Sequence, residues 1–163
     1  MKLILLGAPG AGKGSHAKLI SKKYNVPQIS MGDIIRENIK KGTKLGKELK
    51  KFTEGGNLVT DDLVIRLLES RINKKDCSNG YILDGFPRTI AQANALEKIT
   101  EIDNALLLDC REKTVLQRLG GRRNCNKCGA IFHIINMPPK KDGACDKCSG
   151  KLFQRGDDQE KTI

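Results

Sequence analysis

The densest chemistry in the chain lies in nine residues near its start, Gly7-Ala8-Pro9-Gly10-Ala11-Gly12-Lys13-Gly14-Ser15. The GxxxxGK spacing is that of a phosphate-binding loop between a strand and a helix. Glycines let backbone N–H groups close around an anion, and the following helix N-terminus adds its positive end. Lys13 contributes a mobile charge for the outer phosphates. The hydroxyl that usually follows the lysine is displaced by one residue, because Gly14 intervenes before Ser15. A magnesium ion must therefore be held differently here. The plain alternative is a glycine-rich turn before an ordinary helix.

Two further groups carry chemistry. Cys125-x-x-Cys128 and Cys145-x-x-Cys148 are separated by 16 residues. Two such pairs can close a tetrahedral zinc site with no open position, so the metal would be structural. Free thiols or two disulfides are the alternatives. Asp84-Gly85-Phe86-Pro87-Arg88 follows a short apolar run and falls at the C-terminal end of a strand, where ligands of open α/β sheets gather. A carboxylate there can orient metal-bound water, and Arg88 can grip a phosphate, although a turn with a surface arginine has the same pattern. Arg36, Arg118, Arg122, Arg123 and Arg155 are scattered singly. Several can converge on transferring phosphates. Gln92 also fits the third position of a helix capping box begun by Thr89.

These groups need elements to position them. Leu3–Leu6 reads as a strand buried on both faces, and residues 14–24 as a helix with Ala17, Ile20 and Tyr24 on one stripe. Short strands follow at Gln28, Tyr81–Asp84 and Ala105–Asp109. Helices start at Ser30-x-x-Asp33 and at Thr60-Asp61-Asp62, where the acids favour the helix dipole. A helix carrying Leu45, Leu49 and Phe52 stops at Gly55-Gly56, and another runs from Glu112 to Leu119. Strands alternating with helices predict an α/β, doubly wound parallel sheet. From Arg122 the chain turns cysteine-rich and loses helical period, as an insertion with its own small fold would.

The sequence has 163 residues, one domain's worth, with 30 Lys+Arg against 19 Asp+Glu and a net charge of +11. A basic balance suits nucleic acid or a polyphosphate substrate alike. Only 4% of residues are aromatic and tryptophan is absent, which argues against base stacking on single strands. No stretch approaches about 20 apolar residues, so neither a leader nor a membrane span is expected. Six cysteines without a leader point to a reducing compartment. Cys77 and Cys110 read as buried thiols.

Together these residues resemble the adenylate kinases, of the bacterial long-lid type with a zinc site. GAPGAGKGS, QISMGDIIR, GNLVTDDLV, GYILDGFPRT and the segment from RLGGRRNCNKCGA to QRGDD follow in that family's order. The resemblance implies the reaction ATP + AMP ⇌ 2 ADP with magnesium, on a phosphate-loop kinase fold. It assigns ATP to Gly10, Ala11, Gly12, Lys13, Gly14, Ser15, Arg118, Arg122, Ile131 and Phe132. It assigns AMP to Met31, Arg36, Asn57, Leu58, Val59, Gly85, Phe86, Pro87, Arg88, Gln92 and Arg155. Lys13, Asp84, Arg88, Arg122 and Arg155 would be catalytic, and Cys125, Cys128, Cys145 and Cys148 would hold structural zinc. The implied domains are a core of residues 1–29 and 60–121, an AMP-binding flap of 30–59 and a lid of 122–158. Residues 159–163 would begin a core helix, with the family's later helices and last strand missing. Met31 stands where the family usually has Thr, and His16 where it has Gln. The partners expected are ATP, AMP and ADP, without nucleic acid or membrane, for a cytoplasmic monomer. Two rivals follow from the residues: another nucleoside monophosphate kinase, and a zinc-ribbon nucleic-acid module or nucleotide-binding fragment.

Overall fold

The first strand, β1 (Lys2–Leu6), shows why this is a layered sheet. Leu3 and Leu5 are buried with Ala17, Val26 and Ile82, whereas Ile4 is buried with Ile29, Leu83 and Phe86. Successive side chains of a strand point to opposite faces, so both faces of the sheet are covered. The structure, a computed structural model, describes residues 1–54 and 59–159. β1 is followed by α1 (Lys13–Tyr24), β2 (Gln28–Ser30), α2 (Met31–Lys41), α3 (Lys44–Glu54), α4 (Asp61–Ile72), β3 (Tyr81–Asp84), α5 (Ile90–Ile99) and β4 (Asn104–Leu107). The four strands pair in parallel in the order β2-β3-β1-β4.

One cluster gathers Met31 from α2, Leu49 from α3, Val64, Leu67 and Leu68 from α4 and Leu96 from α5 onto the face of Ile4 and Leu83. Burying each such side chain stabilises by about 1.5–3 kcal/mol. The Ser30 hydroxyl caps α2 by accepting the Asp33 N–H at 3.3 Å. Thr60 begins α4 without a side-chain cap bond. The stop expected for α3 at Gly55-Gly56 lies outside the described residues.

By their contacts the chain forms two compact units. One contains residues 1–6 and 12–108, and the other residues 7–11 and the chain from Asp109 onward. Residues of the expected flap, including Met31, Ile34, Ile39 and Leu49, share the hydrophobic cluster of the sheet, and the segment 109–121 groups with the cysteine-rich part.

In the second unit, α6 (Glu112–Gly120) leads to β5 (Arg122–Cys125), β6 (Ile131–His133) and β7 (Leu152–Phe153). They form an antiparallel sheet in the order β6-β5-β7. The resemblance places the start of a core helix at residues 159–163, just after Arg155 to Asp158. The latter segment makes one 3-10 turn over Gly156–Asp158, and Gln159 is extended at φ −80°, ψ 140°. The remainder of the expected helix, residues 160–163, lies outside the described residues.

The strand read at Ala105–Asp109 is shifted to Asn104–Leu107. All four residues are exposed, because among the described residues β4 pairs only with β1.

Candidate active site and metal centre

The nine-residue loop connects β1 to α1 as the spacing predicts. Its glycines adopt the conformations that the wrap requires. Gly10 has φ 78° and Gly12 has φ 102°, both in the region that penalises any Cβ. A Cβ on Gly10 would also lie 2.9 Å from the Leu119 side chain. Lys13 is the first residue of α1, so the lysine stands at a helix N-terminus. Arg118, on α6, donates from Nη1 to the carbonyls of Gly10 (3.4 Å) and Ala11 (3.2 Å), and to Cys110 Sγ at 3.7 Å. Cys110 is only half-buried, which corrects its reading as a core thiol, whereas Cys77 is buried as expected.

Asp84 ends β3, on the strand beside β1. Its Oδ2 accepts the Gln28 amide at 3.1 Å and lies 3.4 Å from where a Cβ of Gly14 would be. The carboxylate therefore stands against the first turn of α1. Burial pushes its carboxyl above the usual range, against the opposing pull of Lys13 and of the Gln28 hydrogen bond, with Asp33 adding to the rise. The Asp84 carboxylate offers hard oxygen donors of the kind magnesium takes, and a lone carboxylate suits an ion held mostly through water.

After Asp84 the chain turns through Gly85. Arg88 folds back so that Nε donates to the Gly85 carbonyl at 2.9 Å. Arg36 is exposed on α2 and paired with Asp33 at 2.6 Å. Val59 is partly buried against the main cluster. Asn57 and Leu58 lie outside the described residues. Met31 and Phe86 are each 1% exposed, inside that cluster. Phe132 is buried among Cys125, Ala130, Cys145 and Leu152. For these three, backbone groups are what remains for a nucleotide to meet. Ile131 sits on β6 and is half-buried.

Gln92 is 4% exposed. The Thr89 hydroxyl accepts its N–H at 3.1 Å, which is half of a capping box. The other half is absent: Gln92 Oε1 accepts the Arg88 N–H at 2.7 Å, and its Nε2 donates to Asp61 Oδ1 at 2.7 Å.

In the second unit, Arg122 donates through Nε to Asp158 Oδ2 at 2.7 Å and through Nη2 to Asp158 Oδ1. Asp158 is fully buried, and the Arg122 side chain is 21% exposed. Two of five guanidinium N–H groups are thereby used and three remain. Arg155 precedes the same 3-10 turn, with its carbonyl accepting the Asp158 N–H at 3.2 Å. The sequence pattern marks neither Asp61 nor Asp158 as a partner of a site residue. Asp61 reads as a helix-dipole acid, and no local pattern singles out Asp158.

The four sequence-predicted cysteines converge. Their Sγ atoms all lie within 4.8 Å of one another, with Cys125–Cys148 at 3.4 Å and Cys128–Cys145 at 3.6 Å. A tetrahedron of zinc–sulfur bonds of about 2.3 Å has edges of about 3.8 Å, so the cluster has the dimensions of a zinc site. The Cys128 and Lys127 amides donate to Cys125 Sγ at 3.5 and 3.4 Å and hold that thiol down, to about 6. The Gly150 amide favours a Cys148 thiolate too. The hydrogen bond to Cys128 and burial outweigh it, and that thiol is pushed up to about 12. Packing places Ala130, Phe132 and Leu152 around the sulfurs. None of the six cysteines is disulfide-bonded.

A parallel α/β sheet, a phosphate loop feeding α1 and a carboxylate at the adjoining strand end define a class, the phosphate-loop nucleotide-binding folds. The chain matches the family model described as adenylate kinase over residues 5–163. It is 52% identical to an adenylate kinase of Caldicellulosiruptor bescii, over all of this chain and 78% of that relative. It is 51% identical to one of Clostridium tetani, again over 78% of the relative, and 49% identical to one of Archaeoglobus fulgidus over 77%. The chain belongs to the adenylate kinase family. No helix among the described residues is long and apolar enough to cross a membrane.

Proposed function

We propose that the chain catalyses ATP + AMP ⇌ 2 ADP. The observation that carries this reading is the loop between β1 and α1. It puts Lys13 at a helix N-terminus and the Asp84 carboxylate against the first turn of the same helix. The reaction needs positioning and charge neutralisation more than covalent help from the protein. The nucleophile is an AMP phosphate oxygen, already largely ionised at neutral pH because a phosphate monoester has a second pKa of about 6. No side-chain base is required.

The residues take the following parts. The amides of Gly10 to Ser15 cradle the ATP phosphates, and Lys13 holds the transferring group. Arg122, with three N–H donors left over from Asp158, meets the same phosphates, and Arg118 lies by the ATP base, with the backbone of Ile131 and Phe132. Arg36, Arg88 and Arg155 bind the AMP phosphate. Met31, residues 57–59, Gly85 to Pro87 and Gln92 meet the rest of AMP. Magnesium neutralises phosphate charge when bound, and Asp84 orients its water shell. Cys125, Cys128, Cys145 and Cys148 would hold a structural zinc ion, which would tie residues 122–158 into a lid that moves as a body. Closure of that lid and of a flap of residues 30–59 keeps water from the transferring phosphate. We also read the protein as a cytoplasmic monomer; the thiols, free of disulfides, and the four metal-type ligands among them support the reducing compartment.

The test is ADP formation from ATP with AMP, GMP, CMP or UMP as acceptor. AMP is expected to be preferred. Lys13→Met should lower turnover by about a hundredfold or more, as loss of a preorganised charge at the reacting group does. Normal turnover in that variant, or an equal rate with all four acceptors, would overturn the assignment.

A further inference from the structure

Gln92 is held at both ends of its amide by partners of opposite kind. The Arg88 N–H can only donate, and it meets Oε1 at 2.7 Å. The Asp61 carboxylate can only accept, and its Oδ1 meets Nε2 at 2.7 Å. A flipped amide would set N–H against N–H and oxygen against carboxylate, losing both bonds in a place where Gln92 is 4% exposed. The amide therefore has one polarity. Asp61 is itself held by the Thr89 hydroxyl, which donates to Oδ2 at 2.9 Å. One carboxylate thus ties the first residue of α4 to both the cap and the third residue of α5.

We propose that Asp61 is a positioning residue that fixes the polarity of the Gln92 amide and so selects a 6-aminopurine over a 6-oxopurine in the acceptor nucleotide. This rests on the reading that Gln92 meets the AMP base. With two bonds used, the amide keeps one N–H donor and one free lone pair on Oε1. A 6-aminopurine presents the matching pair, an acceptor at N1 beside an amino donor at C6. A 6-oxopurine presents the reverse, a donor at N1 beside an acceptor. A free glutamine would rotate and accept either, whereas one pinned by a carboxylate at Nε2 and by a backbone N–H at Oε1 cannot. A site built to match polar groups discriminates strongly because the wrong ligand leaves buried groups unpaired.

The experiment measures dissociation constants of AMP and IMP, and separately of ATP, by calorimetric titration into the full chain and its variants. The two monophosphates share sugar and phosphate and differ at the six position of the base. Asp61→Asn, which keeps shape but removes the partner that can only accept and leaves the Arg88 N–H alone to hold the amide, should reduce the AMP-over-IMP preference at least tenfold and leave ATP affinity within twofold. Thr89→Val removes the α5 cap and one bond to Asp61 but leaves the bond from Asp61 to Gln92. It should lower the melting temperature and leave the preference intact, which separates weakened packing from lost polarity. Gln92→Leu should abolish the preference. If Gln92→Leu abolishes it and Asp61→Asn changes it less than threefold, the role of Asp61 is overturned while the base contact stands. If Gln92→Leu leaves the preference unchanged, or AMP does not bind the parent chain, the underlying reading falls and the proposal with it.

Discussion

The Arg122–Asp158 pair allows a prediction with a definite asymmetry. The Asp158 side chain is 1% exposed and Arg122 is 21% exposed. Arg122→Met leaves a buried carboxylate without a cation, and breaking a buried pair in this way costs about 3–5 kcal/mol. Asp158→Leu leaves a guanidinium that is already a fifth exposed and can turn its head to water. Its cost should therefore be lower, about 1–2 kcal/mol. Replacing both partners removes both desolvation penalties. The double variant should thus be more stable than Arg122→Met alone, with a coupling of about 2–3 kcal/mol in the cycle. The contacts divide into two units, so one global melt is a poor readout. Hydrogen exchange at the Cys125 amide, which donates to the Ala130 carbonyl at 2.9 Å, reports the opening of this unit directly. A loss of about 3 kcal/mol appears as exchange faster by roughly a hundredfold. The reasoning fails if Asp158→Leu costs more than Arg122→Met, or if the double variant costs the sum of the two.

The metal centre predicts one zinc per chain, and chelation should lower the melting temperature, because closed thiolate sites contribute folding energy directly. Metal analysis after gentle purification that finds no zinc, with all four clustered thiols titratable, would refute it. Asp84 predicts a pH effect in the nucleotide-free chain. Burial raises its folded pKa above the unfolded value of about 3.9, so the folded chain binds more protons in that window and stability falls as pH rises through it. Asp84→Asn should remove that part of the slope and raise the urea midpoint at neutral pH; a lower midpoint there would contradict it. Gly46 on α3 packs against α2 so closely that a Cβ would lie 2.0 Å from the Asn38 carbonyl oxygen. Gly46→Ala should cost about 2 kcal/mol or more, read from urea unfolding, and a neutral result would show that the two helices separate freely.

The sequence by itself determined what depends on near neighbours. The loop from Gly7 to Ser15, the Ser30 and Thr89 caps and the C-x2-C pairs are short-range patterns. Each was legible because turn geometry, capping and a two-thiolate turn are set within a few residues. The parallel sheet was legible as well, because runs such as Leu3–Leu6 are apolar on both faces and so call for cover on both. Tertiary structure decided the rest. The pairing of Gln92 with Asp61 joins residues 31 positions apart, and it turned an expected capping box into half of one. Arg122 meets Asp158 across 36 positions, and burial converted an unremarkable acid into the partner that orients an arginine. Packing placed Met31, Phe86 and Phe132 inside cores, so family positions expected at a nucleotide retain only their backbone groups. Contacts, not composition, grouped residues 30–54 with the sheet and residues 109–121 with the cysteine-rich part. No local pattern states which distant group fills a remaining hydrogen-bond site or covers an apolar face, because that is fixed only when the layers close.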